Sequence, residues 1–252
     1  MADEKTLAEA ELETRWTALR SILDREGSNA CCAGLLSEAD DVVRNQLFRF
    51  VIRKLGGGAG ATTAELDAMV VIGEAAITNA LNTAQRRAHE AARWQDEANI
   101  SMFNLSANLC DCWGDGDSRE QRHFEAGLRF ADRALDLRRQ LKKGPRPFAI
   151  AYWARGKHLL SVKRFLEAAE AFRSALAKEE EVAPQPVEAV PGVLMERAFL
   201  GFSLMRAGKE EGAPMLEGAL SALRAIVEKG EGENKDDAQS YLDQILETMR
   251  RN

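Results

Sequence analysis

Apolar residues recur at intervals of three and four along almost the whole chain of 252 residues. A stripe of this kind near the start is formed by Leu7, Leu12, Trp16, Leu19 and Leu23. That spacing gives a helix one apolar face, whereas a half-buried strand needs apolar and polar residues in strict alternation. No segment shows a convincing alternation of that sort, so the sequence predicts an all-α fold.

Composition limits the class of protein further. Hydrophobic residues make up 45 % and charged residues 29 %, which is ordinary globular usage and argues against disorder of the whole chain. Lys and Arg number 34 against 40 Asp and Glu, so the formal charge is −6, which argues against general nucleic-acid binding. Residues 1–5 do not begin a secretory signal, and no apolar run approaches the length that a bilayer requires. We therefore expect a cytoplasmic protein that does not insert into membranes.

Turn residues divide the chain into predicted helices. Thr62 and Glu65 fit a capping box, which predicts a helix from Thr63 with an interruption near residues 92–98. The glycine-rich residues 56–61 predict a flexible connector. The other predicted helices run from the first stripe to just before Gly27, from Ser37 to Leu55, and over residues 119–142, 148–162, 165–180, 192–207, 213–229 and 235–250.

A pattern of small residues repeats within four of these helices. Gly73, Gly127, Ala168 and Gly212 are each followed four residues later by a mostly apolar residue. An Ala-Leu pair then comes three and four residues beyond that one, as at Ala175-Leu176. Small side chains let neighbouring helices approach closely, and a recurring unit of this kind is typical of stacked helical hairpins.

The clearest unit resembles the tetratricopeptide repeat (TPR) family. Tyr152, Gly156, Leu159, Ala168 and Phe172 occupy the family's aromatic, small and large positions. The resemblance implies a TPR-like right-handed solenoid of about four helix pairs, with an N-terminal flanking helix and a C-terminal capping helix. The corresponding divisions are N-terminal helices and a Gly-rich linker over residues 1–60, repeats over 61–229 and the capping helix over 233–252.

The resemblance also implies a concave groove that binds a peptide or helix of another protein. Its residues would be Ile150, Trp153, Lys157, Leu160, Met195, Phe202, Met205 and Arg206. This mixture of apolar, aromatic and cationic side chains suits an amphipathic helix or an extended peptide with some acidic residues. An equally good interpretation makes Trp153, Phe202 and Met205 core residues, since periodicity alone does not separate groove from core.

The function implied by the resemblance is that of a non-enzymatic adaptor or scaffold. The alternative is a structural subunit of a larger assembly or of a homo-oligomer. The sequence offers no nucleophile, base and orienting group as a set, and we predict no catalytic residue, metal site or cofactor. Cys110, Cys112 and His123 lack a fourth zinc ligand, so we interpret Cys110 and Cys112 as buried thiols. All four cysteines are predicted to be reduced.

Overall fold

Residues 6–56, 60–114, 116–184 and 186–252 are described by a computed structural model, and they form helices with no strand among them. The all-α prediction is therefore confirmed. The α-helices of these residues are α1 (Glu9–Glu26), α2 (Ser28–Leu36), α3 (Asp41–Gly56), α4 (Thr63–Arg86), α5 (Ala91–Asn108), α6 (Gln121–Gln140), α7 (Pro145–Ser161), α8 (Phe165–Glu180), α9 (Pro191–Arg206), α10 (Gly212–Lys229) and α11 (Glu233–Arg251).

Helices that follow one another in the chain pack against one another. From α3 to α11 every helix contacts the next, and α11 also packs against α9. Two apolar clusters result: one joins α1 to α6, and the other joins the end of α5 to α11. Most contacts between helices thus join helices that are neighbours in the chain.

Small residues lie where helices approach closely. A Cβ atom added to Gly156 of α7 would lie 2.7 Å from Cζ of Phe172 in α8, and one added to Gly127 of α6 would overlap the imidazole of His158 in α7. Ala168 is fully buried. The small-residue pattern thus marks helix contacts, as the sequence indicated.

The N-terminal region corrects two predictions. The chain forms an additional helix, α2, where the sequence analysis placed only a turn after Gly27. Ser37 does not begin a helix but follows the end of α2, and the side chain of Asp40 instead accepts hydrogen bonds from the backbone N–H groups of Val42 and Val43. Residues 57–59 of the predicted connector and residues 1–5 lie outside the described residues.

The capping box of Thr62 and Glu65 is present, but the predicted break at residues 92–98 is wrong. The helix ends at Arg86, and the next residue, Arg87, leaves the helical region of the backbone and places its Nε 2.9 Å from Oδ2 of Asp41. Trp94 is buried within the first turn of α5 instead of interrupting it. A further correction concerns Pro145 and Pro147, which begin α7 and do not precede it, because the first turn of a helix does not need their missing N–H groups.

Candidate partner-binding site

The eight predicted groove residues lie on two helices, and we call their surface the α7–α9 face. Lys157 of α7 lies with its Nζ 5.2 Å from the ring centre of Phe199 in α9, so the two helices meet there. Trp153, Lys157, Leu160 and Phe202 are buried. Of the others, Ile150 and Arg206 are exposed, and Met195 and Met205 are half-buried.

The C-terminal helix covers part of this face. α11 packs against α9 and α10, and the Thr248 hydroxyl contacts the ammonium of Lys157 in α7. Asn252, just beyond α11, donates to Oδ2 of Asp111 at 3.4 Å. The buried side chains of α11 are Ala238, Leu242, Ile245 and Thr248, which makes it an amphipathic helix seated on its own chain.

An ion pair lies beneath the end of α11. Nζ of Lys157 is 2.9 Å from Oδ1 of Asp111, and the two side chains are 0 % and 3 % exposed. Burial by itself would raise the pKa of Asp111 and lower that of Lys157. Their mutual attraction outweighs burial, so the pKa of the carboxyl lies below its usual value and that of the ammonium lies above it. Both groups are therefore charged at neutral pH.

Trp153 is held by aromatic packing without a partner for its indole N–H. The rings of Trp113 and Trp153 meet edge to face with their centres 6.4 Å apart. The Nε1 atom of Trp153 is buried and makes no hydrogen bond among the described residues. Among the described residues, the indole N–H of Trp153 on the α7–α9 face is therefore a buried donor without an acceptor.

Glu196 is a buried carboxyl that the sequence analysis missed. Its residue is 3 % exposed, and its Oε2 atom has no hydrogen-bond partner in the described part of the chain. Burial, with a smaller contribution from the charge of Glu179, raises the pKa of Glu196 well above its usual value. No sequence signal identifies Glu196, because its burial depends on how α9 packs against the other helices.

The four cysteines are free, as predicted, and all four are buried, although burial was predicted only for Cys110 and Cys112. Sγ of Cys110 lies 3.7 Å from Nε2 of His158, which in turn lies 2.9 Å from the carbonyl oxygen of Ser106. Burial raises the pKa of the Cys110 thiol and lowers that of His158 to about 4, so both groups are neutral. A reactive thiolate requires the opposite shifts, and this pair gives no support for nucleophilic chemistry.

No set of three or more metal-ligating side chains comes together within the described ranges. His123 is engaged elsewhere, since its Nδ1 accepts from the Glu120 N–H and its Nε2 lies 3.0 Å from Asp67. Among the residues that the structure describes, no helix is both long and apolar enough to span a bilayer.

A comparison of the chain with protein-family models and with curated protein sequences found no match.

Proposed function

We propose that the chain is a non-enzymatic adaptor of the TPR-like helical-repeat type, and that its α7–α9 face binds an amphipathic helix of a partner protein. The order of packing supports the architecture, because α3 to α10 form four consecutive helical hairpins. One observation carries the binding proposal: an amphipathic helix of the chain itself, α11, packs on α9 and contacts Lys157 of α7. A face that accepts one such helix has the shape and chemistry to accept another.

The buried side of α11 indicates what the partner helix would carry. Ala238, Leu242, Ile245 and Thr248 follow one another at spacings of four, three and three residues. A partner would place small or branched apolar side chains at the first three of these positions. At the fourth, a hydroxyl or a carboxylate would contact the ammonium of Lys157.

Binding in this mode requires α11 to leave the face. Gly230 and Gly232 precede α11, and Gly232 has a positive φ of 62°, a conformation that glycine adopts without strain. We propose that these glycines form the pivot at which α11 separates from α10. A partner then competes with α11, and its apparent affinity is reduced in proportion to the fraction of molecules whose face is open.

The test uses the full chain and a fluorescein-labelled peptide of residues 233–252 as the partner helix. Ile245→Asp places a charge on the buried side of α11 and should release it, since Ile245 is fully buried. Leu246→Asp is the matched control, because the neighbouring Leu246 is 45 % exposed. Fluorescence anisotropy should show peptide binding at least about tenfold tighter for Ile245→Asp than for the control and the unaltered chain.

Two outcomes would contradict the proposal. Equal and negligible peptide binding by all three proteins would show that the face does not take a helix in trans. A concentration-independent oligomer in sedimentation velocity would favour the alternative function, a structural subunit of a homo-oligomer. Ala substitutions of Trp153 and Phe202 are a less direct test, because both residues are buried and their loss would also lower stability.

A further inference from the structure

A second concave site lies at the other end of the chain, away from α11. It is a cleft of about 590 Å³ between α1, α3 and α5. None of its lining residues belongs to α7, α9 or α11, so it is independent of the α7–α9 face. A cavity of this volume is in the range that holds a ligand or a short peptide segment.

The cleft is long rather than round. Its lining residues on α5 extend from Arg93 to Asn108, which at a rise of about 1.5 Å per residue corresponds to roughly 22 Å. An extended polypeptide advances about 3.3 Å per residue, so a segment of six or seven residues would span this length. The shape favours an extended chain over a compact small molecule.

The lining also offers a polar side chain that a ligand can reach. Asn45 of α3 is not that group: it is only 7 % exposed, its Nδ2 donates to Oε2 of Glu97 at 2.8 Å, and its Oδ1 is buried without a partner among the described residues. Asn104 of α5 lines the same cleft and is exposed. Side-chain amides and hydroxyls both donate and accept, which matches the N–H and C=O groups of a peptide backbone.

The charge in the cleft favours an acidic ligand. Arg49, Arg53 and Arg93 line it together with two carboxylates, Glu9 and Glu97, so the lining is net positive in a chain of charge −6. Arg49 lies 3.2 Å from Glu97, and Arg53 lies 2.8 Å from Glu9. Both arginines are at least half-exposed, and ion pairs of that kind are weak enough to be exchanged for a ligand carboxylate.

From these observations we propose that the α1–α3–α5 cleft binds an extended acidic segment of a partner polypeptide. Arg49 and Arg53 hold acidic side chains of the segment, and the exposed side-chain amide of Asn104 hydrogen-bonds its backbone. This site is additional to the α7–α9 face and does not depend on the release of α11.

The probe is a fluorescein-labelled eight-residue peptide of alternating Asp and Ser, compared with one of alternating Asn and Ser. With the full chain, anisotropy should show saturable binding of the acidic peptide and at least about tenfold weaker binding of the neutral one. Arg49→Gln together with Arg53→Gln should weaken only the acidic peptide, by about tenfold. Asn104→Ala should weaken both peptides. Arg25→Gln, at an exposed arginine of α1 that does not line the cleft, is the control and should change neither.

The proposal is overturned by equal binding of the two peptides, by the absence of saturable binding at millimolar peptide, or by binding that the paired arginine substitution leaves unchanged. Tighter binding of a single-stranded oligonucleotide than of the acidic peptide would also overturn it. The Ile245→Asp variant should bind the acidic peptide as the unaltered chain does. Failure of this site is therefore distinguishable from failure of the α7–α9 face.

Discussion

Replacing Lys157 by methionine removes the cation of the buried pair while keeping a side chain of similar length. Asp111 then remains almost completely enclosed, with its side chain 3 % exposed and without the ammonium that compensates its burial. Breaking a buried ion pair by removing one partner typically costs about 3–5 kcal/mol. For a chain of this size, that loss lowers the melting temperature by roughly 6–20 °C.

The effect should depend on pH in a defined direction. In the unaltered protein the pKa of Asp111 is lowered, so the pair stabilises the fold above the unfolded value of 3.8 and is lost as the pH falls through the folded value. In Lys157→Met, burial instead favours the neutral carboxyl, and the stability penalty grows as the pH rises above 3.8. The difference between the two proteins should therefore be largest near neutral pH and small near pH 4.

Urea unfolding followed by circular dichroism, at several pH values, measures this difference. The matched control is Arg155→Met, which removes a partly exposed ion pair with Asp132 at 2.7 Å and should cost less than about 1 kcal/mol. Adding Asp111→Asn to Lys157→Met should recover at least half of the lost stability. A loss below about 1 kcal/mol for Lys157→Met, or a loss that does not change with pH, would refute the assignment of a buried charged pair.

Three further predictions concern single positions. Because burial raises the folded pKa of Glu196 above 4.5, the carboxyl destabilises the fold as the pH rises above that value. In urea unfolding, Glu196→Gln should be more stable than the unaltered chain at pH 8 and equal to it at pH 4. The control Glu217→Gln, at an exposed residue, should show no such trend. Gly156→Ala should lower the free energy of unfolding by about 1–3 kcal/mol, because the added Cβ overpacks against Phe172. In Gly218→Ala the added Cβ meets nothing within 4 Å, so thermal unfolding should show a gain in stability of about 0.5–1 kcal/mol. Equal effects of the two substitutions would contradict the close contact at Gly156. Thr62→Ala removes the capping box of α4 and should lower the free energy of unfolding by about 1 kcal/mol, and an unchanged stability would show that the cap contributes nothing.

Much of the secondary structure could be predicted from local signals. Helical spacing of apolar residues identified most helices, and the hydroxyl and carboxylate of Thr62 and Glu65 located the start of α4 to the residue. The missed features depend on distant contacts. α4 ends just before Arg87, which contacts Asp41, a residue 46 positions away in the chain.

The candidate site could be predicted only in part, for the same reason. The sequence analysis selected Ile150, Trp153, Lys157 and Leu160, which do lie on α7 at helical spacing. It did not reveal that the chain returns to contact Lys157, since the contact of Lys157 with Thr248 joins residues 91 apart. Nor could the sequence reveal Asp111 as the partner of Lys157, because that pairing depends on how the turn after α5 meets α7.

The central claim is that α11 covers the α7–α9 face, and the chemical labelling of Lys157 measures this most directly. Amine-reactive labelling of the full chain, with the modified lysines located by mass spectrometry, should leave Lys157 unmodified in the unaltered protein and in Leu246→Asp. In Ile245→Asp, Lys157 should become labelled while the protein stays helical. Labelling of Lys157 in all three proteins would show that the face is already open, and protection in all three would show that α11 is not what covers it.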